Sequence, residues 1–155
     1  MSQSNVTARI RSYLLAILVI GLFGTGAELL LLGHIESVQQ RIPLVLLAAG
    51  VVAGVWHASR PTRATVRTLQ TVMALCVLSG IVGVGLHAQG NEEFELEMYP
   101  AMRGRELAVK VLTGATPVLA PGSMVLLGLI GLTHAYRHPS VDLDAKASFN
   151  QEGDV

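Results

Sequence analysis

This sequence of 155 residues has few charged side chains and a single cysteine. Only 14% of its residues are Asp, Glu, Lys or Arg, whereas soluble domains contain roughly a quarter. The eleven basic residues balance the eleven acidic ones, which leaves no net field to attract nucleic acid. The lone Cys76 excludes an internal disulfide and a zinc cluster built from cysteines. Because hydrophobic residues make up 51% of the chain, it is too apolar for a disordered protein, and the class that remains is an integral membrane protein.

Four long apolar runs indicate four membrane-spanning helices. Each run reaches the roughly 20 residues that cross a bilayer once its flanks are included. Leu14–Phe23, Leu44–Val55 and Val72–Leu86 lack the charged face of a soluble amphipathic helix. We therefore predict an all-α, integral-membrane four-helix bundle in residues 1–139 and a disordered cytoplasmic tail in residues 140–155. The predicted helices lie near 13–33, 42–59, 66–88 and 117–136.

The distribution of Lys and Arg predicts that both termini lie in the cytoplasm, because cytoplasmic segments carry an excess of basic residues. With the N-terminus inside, seven basic residues are inside and four are outside. The short loop 60–67 holds three of the inside set. The inside set is Arg9, Arg11, Arg60, Arg63, Arg67, Arg137 and Lys146, and the outside set is Arg41, Arg103, Arg105 and Lys110.

The connection between the third and fourth predicted helices is the only long one. It begins with Gly90-Asn91, a pair typical of turns. The alternation of acidic and apolar residues from Glu93 to Met98 predicts an extended segment. We expect the acidic run Glu92–Tyr99 to contact a membrane-protein partner rather than to hold a specific metal ion, since it lacks the fixed ligand spacing of a cation loop.

Two helical segments follow this acidic run. The segment Arg103–Leu112 predicts a short amphipathic helix lying at the outer membrane surface. Thr116-Pro117 is typical of a helix start, with Thr as the N-cap and Pro at the first helical position. Pro121 lies four residues further on, so we expect it to bend the last helix. The apolar face of the amphipathic segment is Leu107, Ala108, Val111 and Leu112.

Each predicted span carries a stripe of small residues that ends in a polar side chain. Residues three or four apart share a helix face, and small side chains let helices approach closely in lipid. Tight helix packing is the favoured interpretation, and the meeting of the polar ends in a site is the alternative. The glycines of these stripes are Gly21, Gly24, Gly50, Gly54, Gly80, Gly83, Gly128 and Gly131.

Glu28 is the one carboxylate within a predicted span. A central charge costs about 2.5–3.5 kcal/mol on insertion scales, so Glu28 is either a proton- or cation-coupling site or a hydrogen-bonded packing residue. We predict that it pairs with His87 just below the outer surface, with a bridging water or His34 as a further partner. The alternative is that each residue has a separate partner, such as a backbone carbonyl or solvent.

The other histidines, His57, His134 and His138, fall at the inner ends of the second and fourth predicted helices. His57 and either of the other two have matching depth, as the axial ligands of a haem b iron would. Interfacial histidines are more often solvated or capping groups. We predict no catalytic residue, because Ser79 and Ser123 lack the context of a nucleophile motif. We also predict no cofactor and no bound metal, since no second pair of histidines lies across the membrane to carry electrons through it.

Three stretches of the chain resemble parts of a group of small four-helix bacterial membrane proteins. They are residues 24–34 (GTGAELLLLGH), 86–95 (LHAQGNEEFE) and 115–122 (ATPVLAPG). The similarity runs over most of the chain and implies a bacterial inner-membrane setting without a particular activity. The small multidrug resistance transporters also have four helices and a glutamate in the first helix, but they lack the long acidic loop, so that comparison is one of architecture only.

These features favour a non-enzymatic subunit or accessory protein of the inner membrane. Its expected partners are the lipid bilayer and a membrane protein or a second copy, bound through the glycine stripes or the acidic run. The first alternative is a small proton- or cation-coupled transporter that works through Glu28. The second is a membrane haem or redox protein that uses the inner histidines.

Overall fold

The computed structural model describes residues 3–141 of the chain, apart from the side chain of Ser4. Within that range the chain is helical and contains no strand, so the predicted all-α class is confirmed. The predicted tail 140–155 lies outside the described residues from residue 142 onward. The helices are α1 (Gln3–Leu31), α2 (Val38–Ser59), α3 (Arg63–Met98), α4 (Gly104–Thr113) and α5 (Gly122–Ala135).

Three of the described helices, α1, α2 and α3, are long and apolar enough to cross a membrane. The 36 residues of α3 extend over about 54 Å, well beyond a hydrocarbon core of about 30 Å. The fourth apolar helix, α5, has only 14 residues and a length of about 21 Å. The helix in the predicted fourth span, 117–136, is therefore shorter than the sequence pattern indicates.

Capping residues start α2 and α3 earlier than the predicted positions 42 and 66. Ser37 Oγ accepts a hydrogen bond from the backbone N–H of Gln40 at 3.2 Å, and Gln40 Oε1 accepts one from the N–H of Ser37 at 3.1 Å. Thr62 and Thr65 form the same capping box before α3. Each box satisfies backbone N–H groups that the first turn of a helix leaves without partners, so both helices begin in polar sequence ahead of their apolar runs.

Helix α1 ends in a Schellman motif. Gly33 has a φ of 65°, a left-handed conformation that favours glycine. The N–H of His34 donates to the carbonyl oxygen of Leu29 at 2.9 Å, and the N–H of Gly33 donates to that of Leu30 at 3.1 Å, which is the bond pattern of this motif. The turn fixes His34 beside the end of the helix that carries Glu28.

Helix α3 continues through residues 90–98, so the predicted turn at Gly90-Asn91 and the predicted extended segment Glu93–Met98 are wrong. The buried Asn91 side chain donates from Nδ2 to the carbonyl oxygens of Val111 at 2.8 Å and Thr116 at 2.7 Å, and its Oδ1 accepts from the N–H of Thr116 at 3.1 Å. These tertiary bonds replace the local ones that an asparagine makes in a turn. The Glu, Leu and Met residues that follow favour a helix.

The predicted amphipathic segment is helical as α4, but the start of α5 differs from the prediction. Helix α5 begins at Gly122 with Pro121 as its N-cap, so the predicted start at Thr116-Pro117 and the predicted bend at Pro121 are wrong. Pro121 has no N–H to donate to the carbonyl of Pro117, and its ring would clash with that carbonyl in a helix. The chain from Pro117 to Gly122 instead forms successive turns in which an N–H bonds to the carbonyl three residues earlier.

Helices α1, α2, α3 and α5 pack in a ring in which α1 and α3 each contact both α2 and α5. The α3–α5 interface is the most extensive, and α4 packs against α3. Since the chain reverses direction at each connection, the start of α1, the α2–α3 turn and the end of α5 lie together. We call this the basic end, after its arginines, and the other the acidic end, after Glu36 and Glu92–Glu97. The enclosed core is Leu18, Leu22, Leu47, Ala53, Leu69, Met73, Cys76, Met124 and Leu127.

Candidate functional sites

The predicted outer site lies at a cavity in the acidic end. This cavity has a volume of about 110 Å³, and Glu28, His34, His87, Thr25 and Ser123 are among the residues that line it. The rings of His34 and His87 lie edge to face with centroids 6.5 Å apart. The fold therefore brings all three predicted site residues to the wall of one cavity.

The hydrogen bond that His87 makes is to a backbone carbonyl. Its Nδ1 lies 3.1 Å from the carbonyl oxygen of Pro117; because a carbonyl only accepts, Nδ1 carries the proton and donates. This is the carbonyl that Pro121 leaves without a helical partner. Glu28 is exposed at the same cavity, and its pairing with His87 stays a prediction.

The stripe glycines Gly80, Gly128 and Gly131 lie where α3 and α5 touch. A Cβ added to Gly80 would lie 2.8 Å from the carbonyl oxygen of Pro121, and one added to Gly128 would lie 2.6 Å from that of Met73. A Cβ on Gly131 would overlap the side chain of Met73. These separations are shorter than ordinary van der Waals contacts, so larger side chains would push the two helices apart.

The remaining stripe glycines include packed positions and one open position. Cβ atoms added to Gly21, Gly50, Gly54 and Gly83 would lie between 2.5 and 3.0 Å from side chains of neighbouring segments. Gly24 has no heavy atom within 4 Å of such a Cβ, so it takes no part in packing within the described chain.

Three histidines converge at the basic end. His57 lies near the end of α2, His134 near the end of α5, and His138 three residues beyond α5. Their ring centroids are 4.9 to 5.7 Å apart, and one potential ligand atom from each lies within 4.8 Å of the other two. His57 and His134 are buried, with relative exposures of 2% and 3%, and His138 is partly buried. We call these residues the histidine cluster.

A hydroxyl group orients His57. Its Nδ1 lies 3.0 Å from Oγ1 of Thr65, and that hydroxyl is within donating distance of the carbonyls of Arg60 at 2.9 Å and Thr62 at 3.0 Å. A hydroxyl has one hydrogen. When it bonds to one of these carbonyls, the Thr65 oxygen accepts from the Nδ1–H of His57, and the Nε2 of the neutral ring carries a lone pair.

A backbone carbonyl orients His134. Its Nδ1 lies 3.0 Å from the carbonyl oxygen of Arg11, so Nδ1 donates and the Nε2 of the neutral ring carries the lone pair. This Nε2 is buried and has no hydrogen-bond partner among the described residues. The guanidinium of Arg11 donates to the carbonyls of Tyr136 at 2.9 Å and Arg137 at 3.0 Å. Arg11 thus holds both His134 and the turn that leads to His138.

His138 remains uncharged at neutral pH. Burial, together with the nearby His57, His134 and Arg11, lowers its pKa to about 4. Its Nδ1 accepts a long hydrogen bond of 3.3 Å from the N–H of Ser140. Arg137, immediately before it, has a φ of 45°, which is uncommon for a residue with a side chain.

Sequence reasoning placed the three histidines at the inner ends of helices but did not predict that all three meet. It also missed the Thr65 hydroxyl and the Arg11 carbonyl that orient two of the rings. The predicted helix directions could have shown that His57 and His134 lie close together, because α2 and α5 run the same way and bring their C-terminal histidines to one end. The position of His138 depends on the turn after α5, which has no clear sequence pattern.

Comparisons with known proteins find no relative of this chain. No family model matches the chain, and neither the curated proteins nor the solved structures include a significant match.

Proposed function

We propose that this chain is a multi-pass protein of a bacterial inner (plasma) membrane, a non-enzymatic subunit or accessory protein with four membrane-embedded helices. The observation that carries this proposal is the apolar outer surface of the long helices. Ile20, Phe23, Val52 and Leu78 are 58 to 72% exposed and lie within the three helices that are long enough to span. Water would penalise so much exposed apolar surface, whereas lipid solvates it.

The arrangement of charges supports an orientation with both termini in the cytoplasm. The arginines near the start of α1, in the α2–α3 turn and after α5 lie at the basic end, while the described carboxylates other than Glu28 lie in or beside the connections of the acidic end. Cytoplasmic segments attract Lys and Arg. In this orientation α4, whose apolar residues alternate with Arg105, Glu106 and Lys110, lies along the outer surface as an interfacial helix.

Association with another membrane protein, or with a second copy, is the role that best fits the surfaces left unused. Gly24 is open on the outside of α1, and Phe94, Met98 and Tyr99 are exposed in the acidic run. Small residues permit close helix approach in lipid, and exposed aromatic groups are frequent in protein interfaces.

A topology experiment tests the membrane proposal. Reporter domains fused after Val155 should behave as cytoplasmic, and the same reporter inserted at Ala101, between α3 and α4, should behave as periplasmic. The protein should also remain in the membrane fraction when membranes are washed at alkaline pH. Extraction into the soluble fraction, or both reporters on one side, would contradict the proposed arrangement.

The outer cavity favours a second candidate function, proton- or cation-coupled transport through Glu28. Three titratable side chains, Glu28, His34 and His87, line one cavity near an end of the helices, where they could exchange protons with the outer solution. A Glu28→Gln variant should abolish proton-coupled flux in vesicles. The matched control is Glu36→Gln, which removes an exposed carboxylate outside the cavity and should leave flux unchanged.

A further inference from the structure

We propose that His57, His134 and His138 bind one late first-row transition-metal ion of the Zn²⁺ type at the basic end. This site differs from the sequence-based expectation of no bound metal, and it does not depend on the orientation in the membrane or on a partner. The three rings come from separate positions in the chain, yet their potential ligand atoms lie within 4.8 Å of one another.

The hydrogen bonds of two rings leave the nitrogens that a metal needs. His134 donates from Nδ1 to the carbonyl of Arg11. His57 donates from Nδ1 to Thr65 in the tautomer that leaves the Thr65 hydroxyl hydrogen on a carbonyl. Metal-binding histidines have this arrangement, because the outer hydrogen bond fixes the tautomer and presents the other nitrogen as a lone pair. Metal binding by the Nδ1 of His138 would replace its 3.3 Å contact with the N–H of Ser140.

The unpartnered Nε2 of His134 distinguishes this cluster from a set of packed core histidines. Buried polar groups nearly always have a hydrogen-bond partner, and leaving one without costs about 1–3 kcal/mol. The Nε2 atom is buried without a partner in the described chain. The ring centroids of the two other imidazoles lie 5.2 and 5.7 Å from the ring centroid of His134. A bound cation would satisfy this atom.

The separations suit a single ion after a small contraction. Metal–nitrogen bonds of about 2.0–2.1 Å in tetrahedral geometry place two nitrogens about 3.4 Å apart. The ligand atoms lie within 4.8 Å of one another, so side-chain rotations that shorten the longest separation by about 1.4 Å complete the site. Three protein ligands leave the fourth tetrahedral position for water or another small ligand.

The ligand chemistry selects the class of metal. Neutral imidazoles suit Zn²⁺, Cu, Ni and Fe ions, while Ca²⁺ and Mg²⁺ require oxygen ligands. A haem needs two imidazoles on opposite faces of a wide porphyrin. Three rings that converge on one point, with centroids 4.9 to 5.7 Å apart, fit a bare ion better.

Zinc binding to the full-length protein, purified in detergent with an affinity tag that contains no histidine, tests the site. Titration against a chromophoric zinc chelator should give one Zn²⁺ per chain, with no competition from Ca²⁺ or Mg²⁺. Co²⁺ in place of Zn²⁺ should give the visible absorption of a tetrahedral site with nitrogen ligands. Absence of Zn²⁺ binding by the wild-type protein would overturn the proposal.

Variants then locate the bound ion. His138→Ala, at a partly buried position outside α5, and His134→Gln should each raise the Kd for Zn²⁺ by about tenfold or more. The matched control is the double variant His34→Ala/His87→Ala, which removes two histidines from the acidic end and should bind Zn²⁺ like the wild-type protein. Unchanged affinity in both cluster variants, or a loss of binding in the control, would refute the assignment.

A third variant keeps all three ligands. Thr65→Val removes the hydroxyl that fixes the tautomer of His57, so the Kd should rise by about 10- to 100-fold. Helix content and stability without metal serve as the folding check for every variant. If Thr65→Val binds Zn²⁺ as the wild type does, the hydroxyl does not position His57 for a metal, and the tautomer argument fails.

Discussion

Replacing Gly128 by alanine tests whether the α3–α5 interface depends on glycine. The added Cβ would lie 2.6 Å from the carbonyl oxygen of Met73 and 2.6 Å from Cγ2 of Val77. Ordinary contacts between carbon atoms begin near 3.5 Å, so the new methyl is about 0.9 Å too close. The carbonyl of Met73 belongs to the backbone of α3 and cannot rotate away, which leaves separation of the helices as the response.

The expected cost follows from overpacking. Extra methyl groups in a filled interior destabilise by about 1–3 kcal/mol, while alanine is favoured over glycine within a helix by up to about 1 kcal/mol. Gly24→Ala is the matched control, because Gly24 also lies inside a helix but has no heavy atom within 4 Å of the added Cβ. The helix preference is common to both variants and cancels, so Gly128→Ala should be less stable than Gly24→Ala by about 1–3 kcal/mol.

Reversible unfolding in detergent micelles, followed by far-ultraviolet circular dichroism as the denaturing detergent fraction rises, measures this difference. We expect Gly24→Ala to match or slightly exceed the wild type and Gly128→Ala to unfold at a lower fraction. Equal midpoints for the two variants would show that α3 and α5 do not meet at Gly128, and the packing described for the glycine stripe would then be incorrect.

Three further predictions concern single side chains. Asn91→Leu removes three hydrogen bonds to residues 111 and 116, so it should destabilise the fold by about 2–3 kcal/mol. It should also make the chain near α4 more sensitive to proteolysis. The control Gln89→Leu should change neither the stability nor the proteolysis pattern. The folded state lowers the pKa of His138 to about 4 from a usual 6.5, so the unfolded chain binds the proton first and stability should fall as the pH drops from about 6.5 to 4. The full shift corresponds to about 3.4 kcal/mol, which the partial exposure of the side chain to solvent reduces to about 1–2 kcal/mol. Stability measured across this range in His138→Gln should lack this component. Arg137→Gly should stabilise by about 0.5–1 kcal/mol, since glycine adopts a φ of 45° without strain; a lower unfolding midpoint would show that the Arg137 side chain contributes more than its backbone conformation costs.

The sequence predicted the all-α class because helix formation in long apolar runs needs only local composition. It misjudged the starts of α2 and α3, where the Ser37 and Thr62 capping boxes extend the helices into polar sequence. It also predicted a turn at Gly90-Asn91, because Asn91 bonds to Val111 and Thr116, which lie 20 and 25 positions further along the chain.

The candidate sites also depend on contacts between residues that are far apart in the sequence. Helical spacing identified the stripe glycines, and most of them are packed against neighbouring segments. Spacing could not predict that Gly24 is open, because packing depends on which helix lies against each face. Spacing likewise placed histidines at two ends of the helices. The convergence of His57, His134 and His138 required the turn after α5, which Arg11 and the unusual φ of Arg137 hold in place.

In the proposed membrane arrangement, the shortness of α5 has a consequence for the bilayer around it. At about 21 Å, α5 leaves about 9 Å of a 30 Å hydrocarbon core to the turns before Gly122. Irregular backbone at that depth is tolerated only when its polar groups are satisfied within the protein. The two prolines of this segment have no N–H to satisfy, and the carbonyl of Pro117 accepts from both Ala120 and His87. Because these polar groups are missing or have partners, the segment would expose fewer of them in lipid, and the membrane beside α5 would need to thin less than the length of the helix alone would require.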